Sequence, residues 1–457
     1  MSYTPLASSA VSTPQGPSAP STPLDKMQDI TRLSTRCVRI LGQNPSKFTL
    51  NGTNTYLLTP PCDWNWPARS QPLPAILVDT GDVREDYAEF LECVLRGGLI
   101  KTPGALQERV QIVITDIILT HWHHDHVGGV PFVLRMLARL RTEAGDAVPL
   151  PRIRKFVDPA TDPSFLDRLQ NVPLDAYEHV GGGTGVDSVI WPLRDNETIR
   201  VVDPENKELR TSVRAIYTPG HAADHSCLLL EEDNILCTGD NVLGRGSTVF
   251  EDLVLYLRSL QRCAALLSRR AATPLGVYGM PLAVAGADNV MFPGHGPVIA
   301  RGRDTLARYM KHRLERDEQL LALLTCHPAD RERVMEATAF ADRVLTKRLH
   351  ARDGAEAPWT LRQLIGVLYA NYALDMYPAV ARGLLLHLQK LAKDPAAIQQ
   401  TPFFMQDPLP SSRWTKERPM VRSLSVPSFQ RTASAIPDFP QTEKEWWEVL
   451  EVPWTLA

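Results

Sequence analysis

The chain has 457 residues, with 49 Lys+Arg against 52 Asp+Glu and a formal net charge of −3. That length supplies more than one domain, and the near-neutral balance argues against a general nucleic-acid binder, whose footprint is a basic excess. Seven cysteines (Cys37, Cys62, Cys93, Cys227, Cys237, Cys263 and Cys326) are scattered without Cys-x-x-Cys spacing, which argues against a thiolate metal site or a disulfide framework.

The opening residues, MSYTPLASSAVSTPQGPSAPSTPLDK, are rich in Ser, Pro, Ala and Thr. They lack the apolar core of a secretory signal and the arginines of a transit peptide. A disordered tail over residues 1–32 of a cytoplasmic protein is the expectation. No apolar run reaches the roughly 18 residues of a membrane span.

Order is expected from Leu33. The stretch CVRILGQNPSKFTLNGTNTYLL (37–58) alternates and reads as two or three strands broken by turns. Residues 59–74 read as a hairpin insertion, AILVDTGD (75–82) as a buried strand, and DYAEFLECVLRGGL as a helix. VQIVITDIILT (110–120) is another apolar strand, and residues 130–145 have helical spacing. Residues 146–200 hold short apolar runs and a GGGTG loop of no assigned role. Three strands follow: LRTSVRAIYTP, SCLLLEED and NILCTGD. A helix is predicted over 249–270, a Gly/Pro/Ala-rich loop over 271–290, a short strand in VMFPGHG and a long amphipathic helix over 303–325. Residues 328–395 read as wholly helical. The domains are therefore a main domain over 33–302, a helical domain over 303–395, and a largely disordered tail over 396–457. The Trp-rich end, EKEWWEVLEVPW, is expected to dock as a short helix on the protein's own surface.

The chemistry concentrates in THWHHDHVGG (120–129). His121, His123, Asp125 and His126 leave a strand end and enter a helix, so they can point at one centre. Gly128 and Gly129 allow a tight backbone entry. Three more strand ends carry one polar ligand each: His221 in YTPGH, Asp240 in CTGD and His295 in FPGHG. Imidazole and carboxylate are the usual zinc ligands of hydrolases. Seven ligands suit two ions: His121, His123 and His221 on one, Asp125, His126 and His295 on the other, and Asp240 between them. Such a pair ionises water near neutral pH and polarises a carbonyl or phosphoryl oxygen. His/Asp sites also take iron or manganese.

Other residues keep two readings. Asp79 is expected to orient a ligand histidine, or else to cap a turn. Asn54 and Thr55 line the cleft or form a turn. His225 touches substrate or is a satisfied core histidine. His124 is expected exposed, Ser247 and Thr248 on a loop over the site, and Glu251 and Asp252 as caps of the next helix.

At these residues the sequence resembles the metallo-β-lactamase superfamily. Its HxHxDH signature stands here as His121-Trp122-His123-His124-Asp125-His126. NPSKFTLNGTNTYLL, VDTGD, TPGHAADHSCLLL, TGDNVLGRGSTVFEDL and FPGHGPVIARG resemble its β-lactamase-like branch. That branch includes an animal mitochondrial endoribonuclease and fungal thioesterases that release polyketides from an acyl carrier protein. The resemblance implies an α/β fold, an αββα sandwich with the metals at one sheet edge, followed by a C-terminal helical, winged-helix-like domain. It implies a zinc-dependent hydrolase with two zinc ions per chain, in which Asp125 also accepts or donates a proton. The leading expectation is a thioesterase whose partner is the acyl carrier protein of a polyketide synthase. The alternatives are an endoribonuclease on single-stranded RNA and a partner-binding protein acting through its Trp-rich tail.

Overall fold

The computed structural model describes residues 25–62, 69–98, 110–144, 148–183, 188–268, 289–324, 359–369, 377–393, 421–423 and 453–456. The first strands, β1 (Ile30–Arg32), β2 (Cys37–Leu41), β3 (Asn54–Leu58) and β4 (Leu73–Val78), pair antiparallel in chain order. The sheet thus begins just ahead of the boundary expected at Leu33. Helix α1 (Glu85–Leu95) crosses to β5 (Ile112–Ile118), which runs parallel to β4. The one-turn α2 (His124–Val127) and α3 (Val130–Ala144) lead to β6 (Arg152–Lys155). Helix α4 (Asp162–Arg168) precedes β7 (Ile190–Pro192), which closes a seven-stranded sheet in the order β1 to β7.

A second, five-stranded sheet has the order β12-β11-β10-β9-β8. Its members are β8 (Thr198–Val202), β9 (Arg210–Tyr217), β10 (Ser226–Leu230), β11 (Ile235–Gly239) and β12 (Met291–Pro293). Helix α5 (Leu253–Ser268) lies between β11 and β12, and α6 (Gly302–Leu324) follows β12. The insertion expected over 271–290 lies almost wholly outside the described residues.

Period-two alternation sorts the strands into layers. Tyr56, Leu58, Ile76, Val78 and Ile118 of the first sheet face Val213, Ala215, Leu228, Leu230 and Phe292 of the second in one core. Leu57, Ala75 and Leu77 turn the other way, onto α1 and α3. Ile216, Cys227 and Leu229 turn onto α5 and the start of α6. The result is the expected α/β fold, two sheets face to face with helices outside.

Helix α6 belongs to two cores. Leu306 packs under the second sheet, whereas Leu320 and Leu324 join α7 (Leu361–Leu368) and α8 (Tyr377–Lys393). Residues 328–358 of the region read as wholly helical lie outside the described residues. The region read as wholly helical also contains a strand. β13 (Trp359–Thr360) pairs with β15 (Pro453–Leu456), which pairs with β14 (Val421–Ser423). Residues 453–456 at the chain end therefore return as a strand, and the rest of the Trp-rich end expected to dock as a short helix lies outside the described residues. No described helix is long and apolar enough to cross a membrane.

The junction between α2 and α3 sets the site. A Cβ on Gly129 would lie 2.0 Å from the Thr80 carbonyl oxygen, and one on Gly128 2.6 Å from that of His124. Only glycine lets the helix entry press on the 79–81 turn, where Thr80 N–H donates to the His126 carbonyl at 2.9 Å. Gly129→Ala is expected to cost about 1–3 kcal/mol through forced backbone movement, read from denaturant unfolding. An unchanged midpoint would show that the turn yields freely.

Candidate metal centre

One rim of the sandwich gathers the ends of strands from both sheets. His121 follows β5, and His123, Asp125 and His126 start α2. His221 follows β9, Asp240 follows β11 and His295 follows β12. The sheets are tied here: Ser226 N–H donates to the Thr120 carbonyl at 2.8 Å, and Asn54 N–H to that of Gly294 at 2.7 Å.

All seven residues singled out in the sequence meet at this rim. Donor atoms of His121, His123, His221 and Asp240 form one group, and those of Asp125, His126 and His295 a second, each within 4.8 Å. In the first, His121 Nε2, His123 Nδ1 and His221 Nε2 form a triangle with sides of 3.0, 3.0 and 3.2 Å. A tetrahedral zinc with bonds of about 2.0–2.1 Å sets its donors about 3.3 Å apart.

The outer nitrogens fix the tautomers. Thr120 Oγ1 donates to Asp79 Oδ2 at 2.9 Å, so it accepts the His121 Nδ1–H at 3.0 Å. His221 Nδ1–H donates to the Val249 carbonyl at 2.8 Å. Both Nε2 atoms therefore present bare lone pairs to each other, which repel unless a cation lies between. Burial, with the neighbouring imidazoles, holds His121 well below its ordinary value and pulls His123 down to about 3. These imidazoles are neutral, as ligands must be.

The second group is built on carboxylates. His295 Nε2 lies 3.1 Å from Asp125 Oδ2 and 3.3 Å from Asp240 Oδ2. His126 Nε2 lies 3.5 Å from Asp125 and 3.4 Å from Asp240 Oδ1. His126 Nε2 and Asp240 Oδ1 are buried and have no hydrogen-bond partner. Burial opposes the His295 cation, but Asp240 and Asp125 outweigh it and push that imidazole up to about 9. His126 is likewise raised, by Asp125, Asp240 and Asp79 against burial. The protons these two rings take up mark where positive charge is wanted. Asp240 reaches both groups, since its other oxygen lies 3.7 Å from His221 Nε2. The donor set fits a pair of divalent cations.

The surrounding residues resolve the open readings. Asp79 accepts from His126 Nδ1 at 2.7 Å and from the Thr120 backbone N–H at 2.8 Å. It does so from a left-handed backbone, φ 59°, so local strain is spent on this geometry. His225 is a satisfied core histidine: Nε2 accepts the Asp240 N–H at 3.2 Å, and Nδ1 meets the Thr218 hydroxyl at 3.0 Å. Asn54 does not line a cleft; its amide donates to the carbonyls of Pro293 and Gly296 and so holds the His295 turn. Thr55 is buried under the Ile40 carbonyl. His124 is half-exposed and paired with Asp82. Asp252 caps α5 by accepting the Leu255 N–H at 2.9 Å. Glu251, expected to share that role, instead lies near Arg382 of α8, and burial pushes its carboxyl up to about 7. Thr53 was missed: its hydroxyl donates to Asp125 Oδ2 at 3.2 Å. Thr248, expected over the site, meets His221 Nδ1 at 3.1 Å.

Comparison with known proteins agrees with this geometry. Residues 74–278 match the metallo-beta-lactamase superfamily, and residues 360–401 the beta-lactamase associated winged helix domain. The chain is 29% identical over 365 residues to the beta-lactamase-like protein 2 homolog of Drosophila melanogaster, covering 80% of this chain and 90% of that one. It is 26% identical over 326 residues to an atrochrysone carboxyl ACP thioesterase of Cryptosporiopsis sp., covering 71% and 74%. It is 30% identical over 405 residues to the lactamase-like protein nscB of Arthroderma otae, covering 86% and 89%. Likeness of that extent reaches past the sandwich into the C-terminal helices, and this chain belongs to the metallo-beta-lactamase superfamily.

Proposed function

We propose that the protein is a dizinc hydrolase that cleaves the thioester joining an acyl chain to an acyl carrier protein. The observation that carries the metal reading is the His121–His123–His221 triangle, whose lone pairs converge at 3.0–3.2 Å. His121, His123 and His221 would hold one ion, Asp125, His126 and His295 the other, and Asp240 both. Bound zinc supplies Lewis acidity and water ionised near neutral pH.

The chain's own groups do the rest. Asp79 and Thr120 fix the rings of His126 and His121, so the donors need no reorganisation on loading. Burial opposes ionisation of Asp125, yet His126 and His295 hold its carboxyl below the ordinary range. It is therefore an acceptor, and the Thr53 hydroxyl steadies it. Two cations at this end of the fold are buried in pairs. Lys155 pairs with Asp162 and Asp224, and Arg313 with Ser247 and the Thr248 carbonyl. Val249, whose carbonyl holds His221, exposes 55% of its surface. An exposed valine beside a candidate ligand suits an acyl chain better than a phosphate backbone, which needs free cations along its path. The thioesterase name of the Cryptosporiopsis relative supports the same substrate class.

The test pairs two substrates. The zinc-loaded protein and its His123→Ala variant are incubated with an acyl-carrier thioester and with single-stranded RNA. Thioester cleavage that is lost in the variant, with RNA intact, is expected. RNA cleavage that the variant loses, with the thioester intact, would overturn the reading.

A further inference from the structure

The loop after Asp240 is held from the outside by α6. Tyr309 and Arg313 lie one turn apart on that helix. Tyr309 Oη accepts the Leu243 N–H at 3.1 Å and donates to the Gly246 carbonyl at 3.0 Å. Arg313 Nη2 donates to Ser247 Oγ at 2.6 Å and to the Thr248 carbonyl at 2.9 Å. Its guanidinium lies 4.7 Å from the Phe250 ring centroid and 5.9 Å from that of Tyr256. Between these anchors sit the two groups that touch His221 Nδ1, the Thr248 hydroxyl and the Val249 carbonyl.

We propose that Arg313, aided by Tyr309, is a positioning residue for the metal centre, fixing the ring of His221 through the 243–249 loop. This rests on His221 being a metal ligand, as proposed above. The chemistry requires arginine. Its Nη2 donates to both oxygens while the planar guanidinium lies over the Phe250 ring, and that flat stacking is what a compact lysine ammonium on a flexible stem does not reproduce. The guanidinium is buried, so its two bonds face little competition from water. Because α6 also packs on α7 and α8, the metal site and the C-terminal helices share one support.

The test uses the full-length chain, Arg313→Met, Arg313→Lys, Tyr309→Phe and the control Arg316→Met. Arg316 lies on the same helix, but it stacks 4.1 Å from the Tyr369 ring and meets the Leu368 carbonyl, away from the loop. One readout is zinc affinity by chelator competition. The other is the Nδ1–H resonance of His221 in the metal-free, histidine-labelled protein, assigned by its loss in His221→Ala. Arg313→Met is expected to weaken zinc about 10-fold, within the range for outer partners of a ligand, and to lose the protected Nδ1–H. Arg313→Lys recovers part of both, and Arg316→Met moves neither. A folded Arg313→Met with unchanged affinity and resonance overturns the proposal, as does an equal loss in Arg316→Met. Should Arg313→Met not fold, Tyr309→Phe decides by the same two readouts. If His221→Ala binds zinc as the parent does, the ligand reading fails, while the resonance still decides whether Arg313 positions the ring.

Discussion

Asp240→Asn is expected to lower kcat/KM on the thioester by about 10³-fold or more, since even an outer partner of a ligand costs about 10–100-fold when lost. The substitution keeps shape and removes only the negative charge. Among the described residues, Asp240 is the one side chain whose oxygens approach histidines of both groups, His126 and His295 on one side and His221 on the other. Two cations held by these groups would repel, and a carboxylate reaching both groups would offset that repulsion. Metal content should fall from two ions to one or fewer, measured by elemental analysis after dialysis. The metal-free protein gives a second reading. Against burial, Asp240 and Asp125 together raise His295 to about 9, so these interactions contribute stability that is full below the ordinary histidine value and is lost as pH rises through about 9. In Asp240→Asn the metal-free protein should lose part of that slope between pH 6.5 and 9, Asp125 keeping the remainder. Parental activity and two bound ions in the variant would end the bridging role.

The convergence of seven side chains was legible because all of them follow the ends of just four apolar runs. A buried strand followed by Gly, Thr or Pro and one polar residue delivers that residue to a sheet rim. This holds for His221 after β9, Asp240 after β11 and His295 after β12. The sandwich was legible for the same reason, since alternation in β3, β4 and β10 assigns a side chain to each face. What escaped are contacts set by tertiary approach alone. Thr53 reaches Asp125 across 72 positions and Arg313 reaches Ser247 across 66. Neither leaves a periodic trace, and Thr53 reads locally as a turn residue. Glu251 sits where a helix cap is expected, yet Asp252 takes the cap and Glu251 is left largely buried near Arg382. The strands Val421–Ser423 and Pro453–Leu456 are too short for alternation to register.

Asp317→Leu is expected to destabilise the C-terminal helices by about 3–5 kcal/mol, the cost of leaving a buried charge without its partner. Asp317 of α6 is 1% exposed, and two side chains of α8 converge on it. His387 Nδ1–H donates to one oxygen at 2.7 Å and Lys390 Nζ to the other at 2.5 Å, and both donors are buried. Burial holds His387 below its ordinary value, although Asp317 pulls the other way. The ring is thus a neutral donor, and the charge pair is Asp317 with Lys390. Around them Leu320, Leu384 and Leu388 form an apolar wall that cannot hydrate a lone ammonium. Hydrogen exchange of the α8 amides measures the loss locally, which a global melt of a multidomain chain would blur. Lys390→Met should cost less, because His387 can take up a proton beside the stranded carboxylate, and its penalty should shrink as pH falls. The double variant Asp317→Leu/Lys390→Met removes both charges and should recover most of the stability. Additive losses in the double variant would show that the pair is not coupled.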